Sequence, residues 1–351
     1  MAEKWLILSG SYGNGHDAAR DALTELLRAD GCEVKHEDMV ELLRRRGAPG
    51  TKKYFELSQK VPFLWDKTFD MLDTRFVNAA LDLMVKGLPH DDFDRIIDAF
   101  SPDYVVATFP HWPIFLKDYE RRKGKKFKSG VVVTDAGDVA MTWYYGSQTI
   151  DRYFTIDEDT AKFLTKKRRG KEPAEASFFP LADRHFMDKD GSSTGTVAFL
   201  LTGVPYAFCT GFITAACEAP EIKKLVVMRG REPRMYKKLK CVAPAKAQFV
   251  EWWDIKANLK DVDVFVSKAG GALVSECIAQ DVPLIVPVFT PGQEEGNVDL
   301  LETYGVGLHE PDPLRAAVLA RFLDVRKMLP NFQALKKRGS ARKVIGSLRA
   351  A

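Results

Sequence analysis

The chain has 351 residues, 46% of them hydrophobic, and a formal net charge of only +4. That length suits about two domains with ample core for each, and so mild a charge excludes nucleic acid as the main partner. The five cysteines, Cys32, Cys209, Cys217, Cys241 and Cys277, show no CxxC spacing and are odd in number, which argues against a zinc site or a disulfide framework and for a reducing cytosol.

The apolar run at 5–8 is too short for a signal peptide and reads as a first strand. Ser9-Gly10-Ser11-Tyr12-Gly13-Asn14-Gly15-His16 follows, ahead of a helix predicted to begin near Asp17-Ala18-Ala19. Gly13 and Gly15 let the backbone fold tightly there, leaving N–H groups and the His16 imidazole at the carboxyl edge of a sheet, where ligands bind. The loop lacks the terminal Gly-Lys-Ser/Thr of a phosphate-binding P-loop, so triphosphate binding is not indicated. Further strands are predicted at 33–36, 104–108, 130–133, 152–156 and 177–179. Asp135 ends one of them at the same edge, a position that suits a general base or the cap of the following turn.

The insertion at 54–86 exceeds what a simple crossover needs and mixes aromatic and basic residues, among them Tyr54, Phe63 and Trp65. It reads as helices with large apolar faces, suited to a core or to a bilayer interface. Basic bunches at 44–46, 121–128 and 166–171 suit solvated loops or an anionic membrane surface.

After a polar gap at 188–194, the natural linker, strands resume at 197–201, 225–228, 248–251, 264–266 and 284–288. The stretch 191–217 carries no charge and is long enough to cross a bilayer, but Gly203-Val204-Pro205 interrupts it, so it reads as a buried strand, a turn and a buried helix. Strands punctuated by helices throughout predict an α/β protein of two doubly wound, Rossmann-like parallel-sheet domains with a cleft between them. The basic stretch 331–348, after Pro330, is expected to be a helix that packs back on the first domain.

Ser267-Lys268-Ala269-Gly270-Gly271-Ala272-Leu273-Val274-Ser275-Glu276 is the most informative stretch. Its glycine pair follows an apolar run and opens a helix, so backbone N–H groups and the helix N-terminus can receive a diphosphate. Glu276, about one and a half turns further on, can take a ribose diol, and Gln293, Glu294 and Glu295 after the next strand can meet sugar hydroxyls.

These motifs resemble the family of monogalactosyldiacylglycerol synthases and processive diacylglycerol glucosyltransferases, inverting enzymes of GT-B fold. The resemblance covers nearly the whole chain: Gly13-Asn14-Gly15-His16, the aromatic run at Phe63-Leu64-Trp65, Thr134-Asp135 with Trp143, Gly230-Arg231-Glu232, and the blocks at 268–276 and 291–297. It implies a first domain at 1–187 that meets acceptor and membrane, a second at 195–330 that binds a UDP-sugar, and a final helix, 331–351, returning to the first. Gly270, Gly271 and Ala272 would hold the diphosphate, Glu276 the ribose, Gln293 and Glu294 the hexose, and Arg231 would neutralise the leaving UDP. Gly13, Gly15, Tyr54, Phe63, Trp65 and Trp143 would serve the acceptor or the membrane, and either His16 or Asp135 would be the base. The implied partners are a UDP-hexose (glucose or galactose, a co-substrate rather than a cofactor), a diacylglycerol-type lipid and the anionic inner face of a membrane, with no metal. Three features depart from the family's pattern: Thr202-Gly203-Val204-Pro205 keeps a single glycine, 136–142 lacks a histidine before Trp143, and Glu251-Trp252-Trp253 replaces smaller residues. A UDP-sugar-binding protein without transferase activity and a UDP-sugar epimerase are the alternatives.

Overall fold

The alternating strands and helices close into two parallel six-stranded sheets in the computed structural model, which describes residues 2–11, 14–45, 74–87, 91–168, 171–251, 258–292 and 294–351. The chain divides into two compact units: Met1–Ala182 with Thr290–Gly296 and Arg338–Ala351, and Asp183–Phe289 with Asn297–Lys337.

The first unit's sheet consists of β1 (Lys4–Ser9), β2 (Glu33–Asp38), β3 (Tyr104–Ala107), β4 (Lys128–Val132), β5 (Arg152–Thr155) and β6 (Glu175–Ala176), in the order β2-β1-β3-β4-β5-β6. Strands buried on both faces read as continuous apolar runs, as in Trp5-Leu6-Ile7-Leu8. Its described helices are α1 (Asn14–Ala29), α2 (Met39–Arg45), α3 (Arg75–Gly87), α4 (Asp91–Phe100), α5 (Trp112–Lys123) and α6 (Glu158–Lys167). On one face Leu23 and Leu27 of α1 pack with Val344, Ile345 and Leu348 against Trp5, Ile7, Val132 and Phe154. On the other, Phe93, Trp112, Phe115 and Tyr119 cover Leu6, Leu8, Val105 and Val131.

The second unit's sheet consists of β7 (Thr196–Leu200), β8 (Lys224–Met228), β9 (Ala247–Val250), β10 (Val264–Val266), β11 (Leu284–Val286) and β12 (Gly307–His309), in the order β12-β11-β10-β7-β8-β9. Helices α7 (Tyr206–Glu218), α8 (Pro233–Val242), α9 (Gly271–Ala279), α10 (Glu295–Thr303), α11 (Pro313–Phe322) and α12 (Val325–Lys336) follow in turn, and α13 (Ala341–Arg349) closes the first unit. In each sheet the winding reverses beside the unit's first strand, between β1 and β3 and between β7 and β10. Ligands of open α/β sheets bind at the carboxyl ends of such strand pairs.

Four expectations need correction. The first helix begins at Asn14 and not near Asp17, so His16 lies in its opening turn and not in the loop before it. The last strand of the first sheet is Glu175–Ala176 instead of 177–179, because Phe178 takes a φ of 60°, a left-handed conformation that cannot continue a strand. Gly307–His309 adds a strand that its short length and glycine concealed. The expected helix at 331–348 is two helices: α12 carries Pro330 inside it, and α13 follows a break at Gly339, where φ is 107°. The polar gap lies inside the second unit, where the Asp263 carboxylate accepts bonds from the Thr194 and Gly195 N–H groups. The uncharged stretch forms β7, a turn and α7, and among the described residues no helix is long and apolar enough to cross a membrane.

Candidate active site

In the first unit, the carboxyl ends of β1 and β3 bring Ser9-Gly10 beside Thr108-Phe109. A Cβ on Gly10 would lie 2.7 Å from the Phe109 ring, so only glycine lets the loop run across that ring. Phe109 in turn meets the His16 imidazole edge-on, with centroids 5.0 Å apart. The backbone carbonyl of Thr108 lies 2.7 Å from His16 Nδ1, and Thr134 Oγ1 lies 3.1 Å from the same nitrogen. A carbonyl can only accept, so Nδ1 carries the proton and Nε2 keeps the lone pair of the neutral ring. The Thr108 hydroxyl also donates to the His16 carbonyl, tying the first turn of α1 to the end of β3 from both sides.

Asp135 follows β4 at the same edge, and its Oδ2 accepts the Trp143 indole N–H at 2.8 Å. The Tyr153 hydroxyl donates to the Trp143 main-chain carbonyl at 2.7 Å and fixes the backbone at that residue. Trp143 is 1% exposed and its ring lies 6.0 Å from the His16 ring. Of its two expected roles, contact with a membrane surface does not fit so buried a ring; its indole N–H orients Asp135, and the ring walls the site. Burial pulls His16 below the ordinary imidazole value, against the opposing pull of the Asp135 charge. Asp135 is pushed up by burial, opposed by His16 and the Trp143 N–H, and raised further by the negative charge of Glu294. The Thr108 carbonyl orients the His16 ring, and Asp135 acts on it through its charge.

Glu294 belongs to the short segment Thr290–Gly296 of this unit and is buried, its carboxylate accepting the Thr290 N–H at 2.8 Å. A Cβ on Gly296 would lie 1.9 Å from the Ala136 carbonyl oxygen, so the segment lies directly against the turn after Asp135. Gly15 sits in the first turn of α1 with open space where a side chain would be. Gly13, Tyr54, Phe63, Trp65 and Gln293 lie outside the described residues.

In the second unit, the carboxyl ends of β7 and β10 carry Thr202-Gly203 and Ser267-Lys268. Gly270 is the N-cap of α9, its own N–H donating to the Lys268 carbonyl at 2.9 Å, and Gly271 and Ala272 form the first turn, so their N–H groups have no acceptor inside the helix. A Cβ on Gly270 would meet nothing within 4 Å, leaving room for a ligand to approach the backbone. Asn297 of α10, 2% exposed, donates its amide to the Ala269 carbonyl at 2.9 Å and braces the turn. Sequence reading placed Asn297 in a motif without a role; its position two residues after Glu295 was the available signal. Glu276 is on α9, 7% exposed. Arg231 follows β8 at the same edge, exposed, with its backbone N–H donating to Thr202 Oγ1 at 3.1 Å. Glu232 accepts the Gly203 N–H at 3.3 Å, so the loops after β7 and β8 support one another.

The sequence model of the monogalactosyldiacylglycerol (MGDG) synthase family matches residues 16–179. The chain is 23% identical to a probable monogalactosyldiacylglycerol synthase 2 of Oryza sativa subsp. indica over 345 residues, covering 90% of this chain and 72% of that protein. It is 23% identical to a processive diacylglycerol beta-glucosyltransferase of Bacillus pumilus over 328 residues, covering 87% of this chain and 82% of that one. In fold it is similar to the glycosyltransferase SnogD from Streptomyces nogalater, with a TM-score of 0.65 at 16% identity and all of both chains covered. MurG of Acinetobacter baumannii matches over all of both chains with a TM-score of 0.59 at 11% identity. In sequence the chain is similar to MGDG synthases and processive diacylglycerol glucosyltransferases, and its fold is that of GT-B glycosyltransferases.

Proposed function

We propose that this protein is an inverting hexosyltransferase that moves glucose or galactose from a UDP-sugar to a lipid hydroxyl, that of a 1,2-diacylglycerol, as a peripheral enzyme on the inner face of a membrane. The observation that carries the chemistry is His16 at the reversal point of the first sheet, its Nδ1–H tied to the Thr108 carbonyl and its Nε2 left basic. A neutral imidazole of lowered pKa accepts a proton at cellular pH and releases it readily after each turnover. On this reading Nε2 takes the acceptor's proton as its oxygen attacks the anomeric carbon, and the Asp135 charge stabilises the imidazolium that forms. The bond from the anomeric carbon to the diphosphate breaks, and UDP leaves with the electron pair. Gly270, Gly271 and Ala272 would hold the diphosphate through backbone N–H groups, Glu276 the ribose and Arg231 part of the leaving charge, with Gln293 and Glu294 on the hexose.

The test is to incubate the protein with radiolabelled UDP-glucose or UDP-galactose and vesicles containing diacylglycerol, then extract the lipid. Label from one donor should enter the lipid phase as a β-linked glycolipid. Intact UDP binding with no label in lipid from either donor would return the protein to the sugar-nucleotide-binding alternative.

A further inference from the structure

Two imidazoles flank Phe109 just past the carboxyl end of β3, and the proposed reaction uses only one of them. His16 meets the Phe109 ring edge-on at 5.0 Å, while His111, the N-cap of α5, stacks on the same ring with centroids 5.3 Å apart and planes 29° from parallel. Pro110 and Pro113 bracket His111-Trp112 and leave the backbone little freedom there. The Trp112 indole N–H donates to the Ser9 carbonyl at 2.8 Å and pins this turn to the end of β1. His111 is thus held in place beside the same aromatic ring as His16.

Its side chain does nothing for the fold that an apolar ring could not do. It makes no cap bond to α5, and among the described residues its Nδ1 is enclosed without a hydrogen-bond partner, which is destabilising. Burial, and behind it the charge that His16 can carry, hold the imidazole down at about 4, so the ring is neutral at cellular pH. A neutral imidazole carries one N–H and one lone pair. An orphaned buried N–H is rarer and costlier than an orphaned acceptor, so the lone pair lies on Nδ1 and the proton on Nε2. The residue is only half-buried, and Nε2 is not among the enclosed atoms, so this N–H is open to a ligand. His111 is therefore a hydrogen-bond donor and, with its basic nitrogen enclosed, no rival to His16 as base.

A donor beside the attacking oxygen must not bond that oxygen, because the bond would draw off the electron pair that attacks the anomeric carbon. Its partner is a second oxygen of the same molecule. In a diacylglycerol the oxygen so placed is the carbonyl of the ester next to the free hydroxyl. We propose that His111 recognises the acceptor: its Nε2–H donates to that ester carbonyl and so turns the neighbouring hydroxyl toward His16. No proton leaves His111; the one released by the hydroxyl still passes to His16 Nε2. This role rests on the acceptor being a diacylglycerol and adds a recognition residue to that reading.

The experiment measures binding of 1,2-dioctanoylglycerol and of 1-octanol to the full chain by calorimetry, with UDP affinity, thermal midpoint and transfer of label to lipid followed on every variant. His111→Phe keeps a ring on Phe109 and removes the donor; His111→Gln keeps an amide N–H close to the place of Nε2. Dioctanoylglycerol should bind the Phe variant roughly tenfold more weakly than wild type, and the Gln variant within about threefold of wild type. Octanol has a hydroxyl but no ester and should bind all three proteins alike. UDP affinity should not change, and the midpoint of the Phe variant should equal or exceed that of wild type, because an unpaired buried nitrogen is gone. Dioctanoylglycerol that binds the Phe variant as well as wild type, or does not bind wild type at all, would overturn the proposal. So would a loss that Gln does not rescue, a parallel loss for octanol, or a midpoint lowered by several degrees, each of which would make His111 a structural residue. Binding that depends on His111 with no label reaching lipid would leave this role standing and count against the transferase reading instead.

Discussion

The Thr108 carbonyl decides which nitrogen of His16 is basic, while burial lowers the pKa of the ring against the raising pull of the Asp135 charge. If Nε2 is the base, turnover falls as pH drops through the lowered His16 pKa, so the acid limb of a kcat/KM profile should lie below the ordinary imidazole value of about 6.5. Asp135→Asn removes the charge that opposes the lowering, and the limb should move to still lower pH while turnover falls about a hundredfold. His16→Ala should cost a similar factor with UDP affinity little changed; near-normal turnover in that folded variant would remove His16 from the reaction. At the other site, Glu276→Ala should weaken UDP binding by roughly 1–3 kcal/mol, read by calorimetry, if the carboxylate accepts from the ribose diol. Away from both sites, burial raises the Glu120 carboxyl on α5 to about 7, with the nearby Lys125 charge working in the other direction. A raised folded pKa means stability is greatest below the unfolded value and is lost as pH rises through 7. Glu120→Gln should therefore raise the thermal midpoint at pH 8 and leave it unchanged at pH 4; equal shifts at both would show that the carboxyl is not titrating.

Among the elements, the segments after β1, β4 and β10 present the candidate residues because parallel strands deliver their carboxyl ends to one edge of a sheet. The Gly270-Gly271 turn is not self-supporting: Asn297, reached from α10, supplies the amide that fixes the Ala269 carbonyl. Asn297→Asp would set a carboxylate oxygen against that carbonyl and should lower UDP affinity roughly tenfold, the equivalent of about 1.4 kcal/mol. A Val298→Ala control on the same helix should lose stability by cavity formation without that loss of affinity; parallel losses in both would make Asn297 a purely structural residue. The glycine pair was legible in the sequence as a strand-to-helix turn because a strand pattern preceded it and a helix pattern followed. The brace was not, because a contact over 28 positions leaves no local periodicity.

For the molecule as a whole, the closing helix α13 belongs to the core of the first unit. Ala341, Val344, Ile345 and Leu348 are buried with Trp5, Ile7 and Phe154, while Arg349 pairs with Glu3 at 2.8 Å and Asp30 at 3.1 Å. Apolar burial outweighs exposed ion pairs in such a contact. Removing residues 338–351 should uncover one face of the first sheet and yield aggregated or unfolded protein by size-exclusion chromatography, whereas Arg349→Ala should cost no more than about 1 kcal/mol. A truncated protein that remains monomeric and melts like wild type would show the helix to be dispensable.

Apart from β6, β12 and the break before α13, the order of strands and helices, the parallel sheets and the positions of His16, Asp135 and the glycine pair along the chain were legible in the sequence, because hydrophobic periodicity and turn residues act over a few neighbours. Only the tertiary structure decided that His16 is helical, that Thr108 sets its tautomer, that Trp143 is interior and that Glu294 lies against the Asp135 turn. It alone decided, too, that Asn78 and Asp82 of α3 are buried while Phe76 and Leu83 are exposed, for a helical pattern does not say which of its residues meet the rest of the chain. Each of these depends on contacts between residues distant in the chain, whose energies come from burial and from paired polar groups that no local pattern records.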